Sequence, residues 1–193
     1  MRERDGVKGN GSTPEKDLEE VVRIERVIVA AGYGGFFWDD QAAIRTGVGR
    51  DGFIYQGPPV TPGFEAIRMP SECLSVLLVL EDGQIAHGDC VAVQYSGAAG
   101  RDPVFKTAEY LPFFKNKIVP VIESMKITRF REMAEEFDST PFESARLHTA
   151  IRYGVTQAFL DAVAKSQRKT MAEVIAEEYS LKLVLAPVPI FIQ

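Results

Sequence analysis

Cysteine is scarce: Cys73 and Cys90 are the only two in 193 residues, which excludes a disulfide framework and a four-cysteine zinc site. Histidine is equally sparse, and His87 and His148 alone make a poor metal cluster. Runs of basic residues are missing too. With a net charge of -5 and a pI near 5.2 the chain offers no clustered Lys/Arg surface for phosphate, which argues against a nucleic-acid partner. No apolar run approaches the roughly 20 residues that cross a bilayer. The opening MRERDGVKGNGSTPEKDLEE lacks the apolar core of a signal peptide. Together these absences predict a cytoplasmic protein with no membrane partner, in which both cysteines are free thiols.

What is present is enough to build a core, since 46% of the residues are hydrophobic. Residues 1–20 mix charge with Gly, Asn, Ser and Pro and read as a disordered leader. Val21 to Ala31 is β-branched and predicts a strand. The Gly- and aromatic-rich stretch from Ala31 to Phe64 then predicts a long packed loop or lid. Ser75 to Pro103 reads as a β-hairpin running into the glycine-rich loop Ser96–Gly100. Asp82-Gly83 forms a two-residue type I′ turn that sets Ser75 opposite Cys90 and His87 opposite Leu78.

Beyond the hairpin the period changes from two to 3.6. Asp102-Pro103 predicts the start of a helix running to about Phe114, with Pro120 bending or ending the next turn. Thr140-Pro141-Phe142-Glu143 has the form of a capping box ahead of the apolar stripe Leu147, Ile151, Val155, Ala158, Phe159 and Ala162. A second box, Thr170 to Glu173, opens a short helix to about Tyr179. LVLAPVPIFIQ closes the chain as a strand whose Pro187 and Pro189 cannot donate ladder hydrogen bonds.

Few residues carry chemistry by themselves. His87 and Asp89, two apart on a strand, suit a general base or a metal pair, or simply a histidine bonded to a neighbour. His148, at the edge of the apolar stripe, reads as helix packing. Asp39-Asp40 reads as a cation ligand or as solvated and capping groups. Gly32-Tyr33-Gly34-Gly35 lacks the spacing and the Lys-Ser/Thr of a phosphate loop. Glu135-Glu136 and Glu177-Glu178 read as helix surface charges. Gln94 and Gln193 each end an apolar run where burial is expected. A neutral amide there can accept from an ammonium or donate to a carboxylate, or it can make an ordinary strand-end hydrogen bond.

The strings GFFWDDQAAI, SVLLVLEDGQIAHGDCVAVQYSGAAGRDP, MAEEFD, RLHTAIRYGVTQAFLDAVAK, TMAEVIAEEY and APVPIFIQ resemble the N-terminal part of the methylaspartate ammonia-lyase family of the enolase superfamily. The resemblance runs in order over about residues 22–193. It implies an α+β capping domain over residues 21–180, an antiparallel sheet of about three strands plus helices, set in front of a (β/α) barrel. Residues 181–193 would then be a linker and the first barrel strand. The activity implied is that of a carbon–nitrogen lyase in glutamate fermentation, taking L-threo-3-methylaspartate, a small amino acid, to mesaconate and ammonia. Mg²⁺ assists proton abstraction next to a carboxylate, and a monovalent cation such as K⁺ stimulates. By the same resemblance Gln94 lies near the substrate amino group, and Gln193 ends the first barrel strand and binds a substrate carboxylate. No counterpart exists here for the family's catalytic lysine, catalytic histidine or three acidic magnesium ligands. The expected partner is therefore a barrel-bearing chain or a homo-oligomer. A truncated product, or a cap retained as a non-catalytic binding module, is the alternative, and the isolated chain is expected to be inactive.

Overall fold

A computed structural model of the chain describes residues 22–92, 101–142 and 146–190. The expected leader, the loop Ser96–Gly100, Glu143 of the first capping box and the last three residues lie outside the described residues. β1 (Ile24–Asp39), β4 (Arg68–Leu80) and β5 (Ile85–Val91) form an antiparallel sheet in the order β1-β4-β5. Between β1 and β4 the chain makes a short helix, α1 (Gln41–Arg45), and a separate small hairpin of β2 (Gly49–Asp51) and β3 (Ile54–Gln56).

Helices follow the sheet. α2 (Thr107–Phe113) passes through a π-helical turn (Phe114–Ile118) into α3 (Val119–Ser124), and α4 (Phe130–Ser139), α5 (Thr149–Ser166) and α6 (Met171–Glu178) complete the order. This is the expected α+β arrangement of three antiparallel strands plus helices.

Alternation decides which sheet face is covered. Leu74, Val76, Leu78 and Leu80 of β4 are fully buried, and Ala86 and Cys90 of β5 point the same way. Against them lie Ile151, Val155, Ala158 and Phe159 of α5, with Phe137 of α4 edge-on to Phe159 at 5.8 Å. Strand and helix touch backbone to backbone: a Cβ on Gly88 would collide with the Gly154 carbonyl oxygen, and one on Gly154 would strike the backbone of Asp89 and Cys90. Two glycines facing each other are what let α5 come this close.

The hairpin is present, but its turn is longer by one residue than Asp82-Gly83 suggested. The Gly83 N–H donates to the Leu80 carbonyl and the Leu80 N–H to the Gln84 carbonyl, with Gly83 at φ 82°. The loop is therefore Glu81-Asp82-Gly83, a three-residue connection with glycine in the left-handed position. Ser75 faces Asp89 and Leu77 faces His87, in place of the expected Cys90 and Leu78 partners. The physical reason is parity: only this register puts Leu74, Val76 and Leu78 on one face with Ala86, Gly88 and Cys90.

Other expectations are corrected. The stretch after Ala31 is no loop at first, because β1 continues to Asp39 by pairing with β4. The register slips between Tyr33 and Phe37, and Gly34 at this irregularity packs against Ser71 Oγ where a side chain would not fit. No helix opens at Asp102-Pro103, and α2 starts at Thr107, where Glu72 takes the Thr107 N–H and hydroxyl at 2.7 Å each. The helical run passes Pro120, with the wider π turn immediately before a residue that has no N–H to give. Thr140 is the C-cap of α4, and α5 begins at Thr149 behind His148. The second capping box forms as expected, at Thr170 and Glu173. Residues 181–190 pair with no strand; Leu185 is 89% exposed and Ile190 84%.

Candidate functional site

Where β5 ends, the sheet, the start of α5 and the irregular part of β1 enclose a cleft of about 820 Å³. Ala92 and Arg101, the residues on either side of segment 93–100, both line it. Gln94 itself, like Gln193, lies outside the described residues. The structure therefore brings neither glutamine into the cleft, and it places around the cleft a set of polar groups that the sequence did not single out.

On the sheet side, the Ser75 hydroxyl donates to Asp89 Oδ1 at 2.7 Å, while the Asp89 N–H donates to Gln157 Oε1 of α5 at 3.2 Å. Cys73 sits beside them. Burial, then the neighbouring Asp89 charge, push its thiol up to about 11, so it stays protonated and a weak nucleophile. Cys90, on the other face against α5, is pushed up further by burial. Both are free thiols.

On the helix side, Asp102 Oδ2 accepts the Thr149 N–H at 2.6 Å. Burial works against the Asp102 charge, but the Thr149 hydrogen bonds, with His148 and Arg146 nearby, outweigh it and hold the carboxyl below its ordinary range. His148 Nδ1 accepts the Ala150 N–H at 3.0 Å and Nε2 lies 2.9 Å from the Pro103 carbonyl oxygen. A carbonyl only accepts, so the proton is on Nε2 and the ring is neutral. Phe105 and Tyr110 flank this imidazole with centroids at 5.1 and 5.4 Å.

His87 and Asp89 do not act together. The His87 side chain is 62% exposed, and its Nδ1 lies 3.4 Å from Asp161 Oδ2 on α5. Asp39 and Asp40 are neither solvated nor free for a cation. Asp39 holds Arg68 through two bonds of 2.6 Å, and Asp40 caps α1 while accepting the Val60 and Thr61 N–H groups at 2.7 and 2.9 Å. Glu178, read from the sequence as a surface charge, is buried and accepts the Phe130 and Arg131 N–H groups at the start of α4.

Among the described residues no three His, Cys, Asp or Glu side chains come close enough to hold a metal ion. Asp89 and Asp102 are already engaged, so the residues present do not fit a magnesium ion. No helix of the described residues is long and apolar enough to cross a membrane.

Comparison with known proteins agrees with this architecture. The family described as "Methylaspartate ammonia-lyase N-terminus" matches residues 22–180. The chain belongs to this family. It is 54% identical over 172 residues to the methylaspartate ammonia-lyase of Clostridium tetanomorphum, covering 89% of this chain and 42% of that protein. Against the enzyme of that name from Citrobacter amalonaticus it is 46% identical over 170 residues, 88% of this chain and 41% of the other. The crystal structure of beta-methylaspartase from C. tetanomorphum as its Mg complex superposes with a TM-score of 0.81 at 54% identity, over 86% of this chain and 40% of that one. The C. amalonaticus structure containing (2S,3S)-3-methylaspartic acid gives 0.78 at 47% identity, over 83% and 39%. The chain thus spans about two fifths of the length of the methylaspartate ammonia-lyases it matches.

The groups missed by sequence reasoning around the cleft are Asp102 and His148. Asp102 was masked by the proline after it, which read as a local helix start. For His148 the available signal was positional, since it directly precedes the apolar-periodic run where a capping side chain is needed.

Proposed function

We propose that this chain is the N-terminal cap of a methylaspartate ammonia-lyase, contributing substrate binding and active-site closure to the conversion of L-threo-3-methylaspartate to mesaconate and ammonia in glutamate fermentation in the cytoplasm. The observation that carries the proposal is the family match over residues 22–180 together with a cleft bordered on both sides of the segment containing Gln94.

In this reading the barrel comes from another chain, and residues 181–193 supply its linker and first strand. The exposed apolar side chains from Leu181 to Ile190 support that role, because they need a surface to bury them. Gln94 accepts a hydrogen bond from the substrate ammonium through its amide oxygen, and Gln193 donates to a substrate carboxylate from the barrel side. The magnesium ion and a monovalent cation such as K⁺ belong to the barrel, which also supplies the catalytic base.

The test is ammonia release and mesaconate absorbance, measured for the purified chain and for the chain coexpressed with the remaining three fifths of a methylaspartate ammonia-lyase. Turnover is expected only in the pair. Turnover by the chain alone, or none in the folded pair, overturns the proposal.

A further inference from the structure

The rim of the cleft from Arg101 to Pro103 is held on α5 by a single neutral imidazole. His148 joins two roles in one ring: Nδ1 accepts from Ala150 in the first turn of α5, and Nε2–H donates to the Pro103 carbonyl, 45 residues earlier in the chain. Beside it Asp102 Oδ2 accepts the Thr149 N–H at 2.6 Å and stands 3.8 Å from His148 Nδ1. With the ring neutral, that second distance is no bond, because Nδ1 carries no proton to give.

Protonation changes the pairing. An Nδ1–H cannot accept from Ala150, and a cation at the positive end of a helix is unfavourable. The nearest compensation is the Asp102 carboxylate. It can take the new N–H only by turning from Thr149, which shifts the Arg101–Pro103 backbone relative to α5.

The other groups facing the ring do not offer this exchange. Tyr110 of α2 presents an aromatic edge contact at 5.4 Å, and Arg146 lines the same cleft with a positive charge. Arg152 of α5 is committed to Asp138 of α4.

We propose that His148 is a positioning residue, a proton-linked anchor that fixes the Arg101–Pro103 rim of the cleft while neutral and releases it when protonated, with Asp102 changing partner from Thr149 to the ring. Its consequence for substrate rests on the reading of the chain as a lyase cap: the rim follows the segment that carries Gln94, so protonation would weaken recognition of the amine.

The anchor is tested on the full chain without any partner, by nitrogen-15 and proton NMR of the imidazole and of the Thr149 amide across the ring's titration. Expected are a proton on Nε2 and none on Nδ1 in the neutral form. Thr149 amide protection should fall roughly tenfold on protonation, the loss of one charge-assisted hydrogen bond. In His148→Asn the side-chain oxygen retains the Ala150 cap without titrating, so Thr149 protection should show no such step. A neutral form protonated on Nδ1, or a Thr149 amide indifferent to the ring, overturns the anchor. If the anchor behaves as stated and the pair with a barrel still gives no turnover, the lyase reading fails and the anchor stands. In an active pair, the substrate KM should rise as pH falls through the ring's titration in the parent, with kcat less affected, and should not in His148→Asn. Equal pH profiles overturn the link to substrate.

Discussion

The two margins of the three-stranded sheet are finished in different ways. Along the outer edge of β5, the Ile85 carbonyl accepts Lys165 Nζ at 2.7 Å, the His87 N–H donates to Asp161 Oδ2 at 2.9 Å and the Asp89 N–H to Gln157 Oε1 at 3.2 Å. These three side chains stand four residues apart on α5, so a polar stripe runs down a helix whose other faces are apolar and occupies the edge that another strand would otherwise pair with. Along β1, the Val27 N–H reaches Glu123 Oε1 at 2.9 Å, and from Ala30 to Tyr33 the strand lies exposed. One margin is sealed by side chains chosen in register with the strand; the other is bent by the glycine-bearing register slip and capped only near its start. The lesson is that α5 has two jobs, core packing and edge protection, and the glycine pair at 88 and 154 makes the second possible by bringing the backbones together.

The largest expected effect comes from breaking that approach. Gly88→Ala places a Cβ against the Gly154 carbonyl and the Ala158 amide, and neither is a flexible side-chain end that can yield. The helix must lift, separating the stripe from the edge as well as the core from the strand, and the cost is expected at about 3 kcal/mol or more. Urea unfolding of the variant measures it; a loss below 1 kcal/mol would mean the contact relaxes freely.

Asp161→Ala attacks the stripe while leaving the approach intact. It orphans the His87 N–H and leaves Lys165 without its carboxylate at 2.7 Å, so a loss of about 2 kcal/mol is expected. The comparison sharpens if Gln157→Ala at the stripe's end costs clearly less.

At the other margin, Asp40 just past β1 is the group to titrate. Burial opposes its charge, but hydrogen bonds from Thr61, Val60 and Ala43 outweigh that and lower its pKa from the usual 3.8. A folded pKa below the unfolded one means its contribution is full above about 3.8 and is lost as pH falls through that value towards the lower folded one. Asp40→Asn should therefore cost about 1.5 kcal/mol at neutral pH and progressively less in acid. Parallel stability–pH curves for parent and variant would contradict this.

The hairpin, the α5 stripe and the box at Thr170 were legible because alternation, helical period and local capping are short-range signals. The turn was misjudged by one residue because Asp82-Gly83 suits a two-residue and a three-residue loop alike, and only the burial parity of both strands distinguishes them. The second half of β1 was not legible: Gly32, Gly34 and Gly35 look like loop, and the strand exists because β4 pairs with it. Asp102 was read as a local cap, yet its partner Thr149 is 47 residues away, a distance no sequence window spans. As for the site, Gln94 and Gln193 rest on the resemblance and lie outside the described residues, whereas the groups that do line the cleft carry no motif.

Trp38 is the chain's single tryptophan. It is fully buried, and its indole Nε1–H lies 3.4 Å from the Ala92 carbonyl, the last described residue before segment 93–100. Intrinsic fluorescence of this protein therefore has one source, and that source is hydrogen-bonded to the doorstep of the cleft. Emission colour and lifetime become a label-free optical gauge of that doorstep, readable in a cuvette while a ligand or a second chain is titrated in.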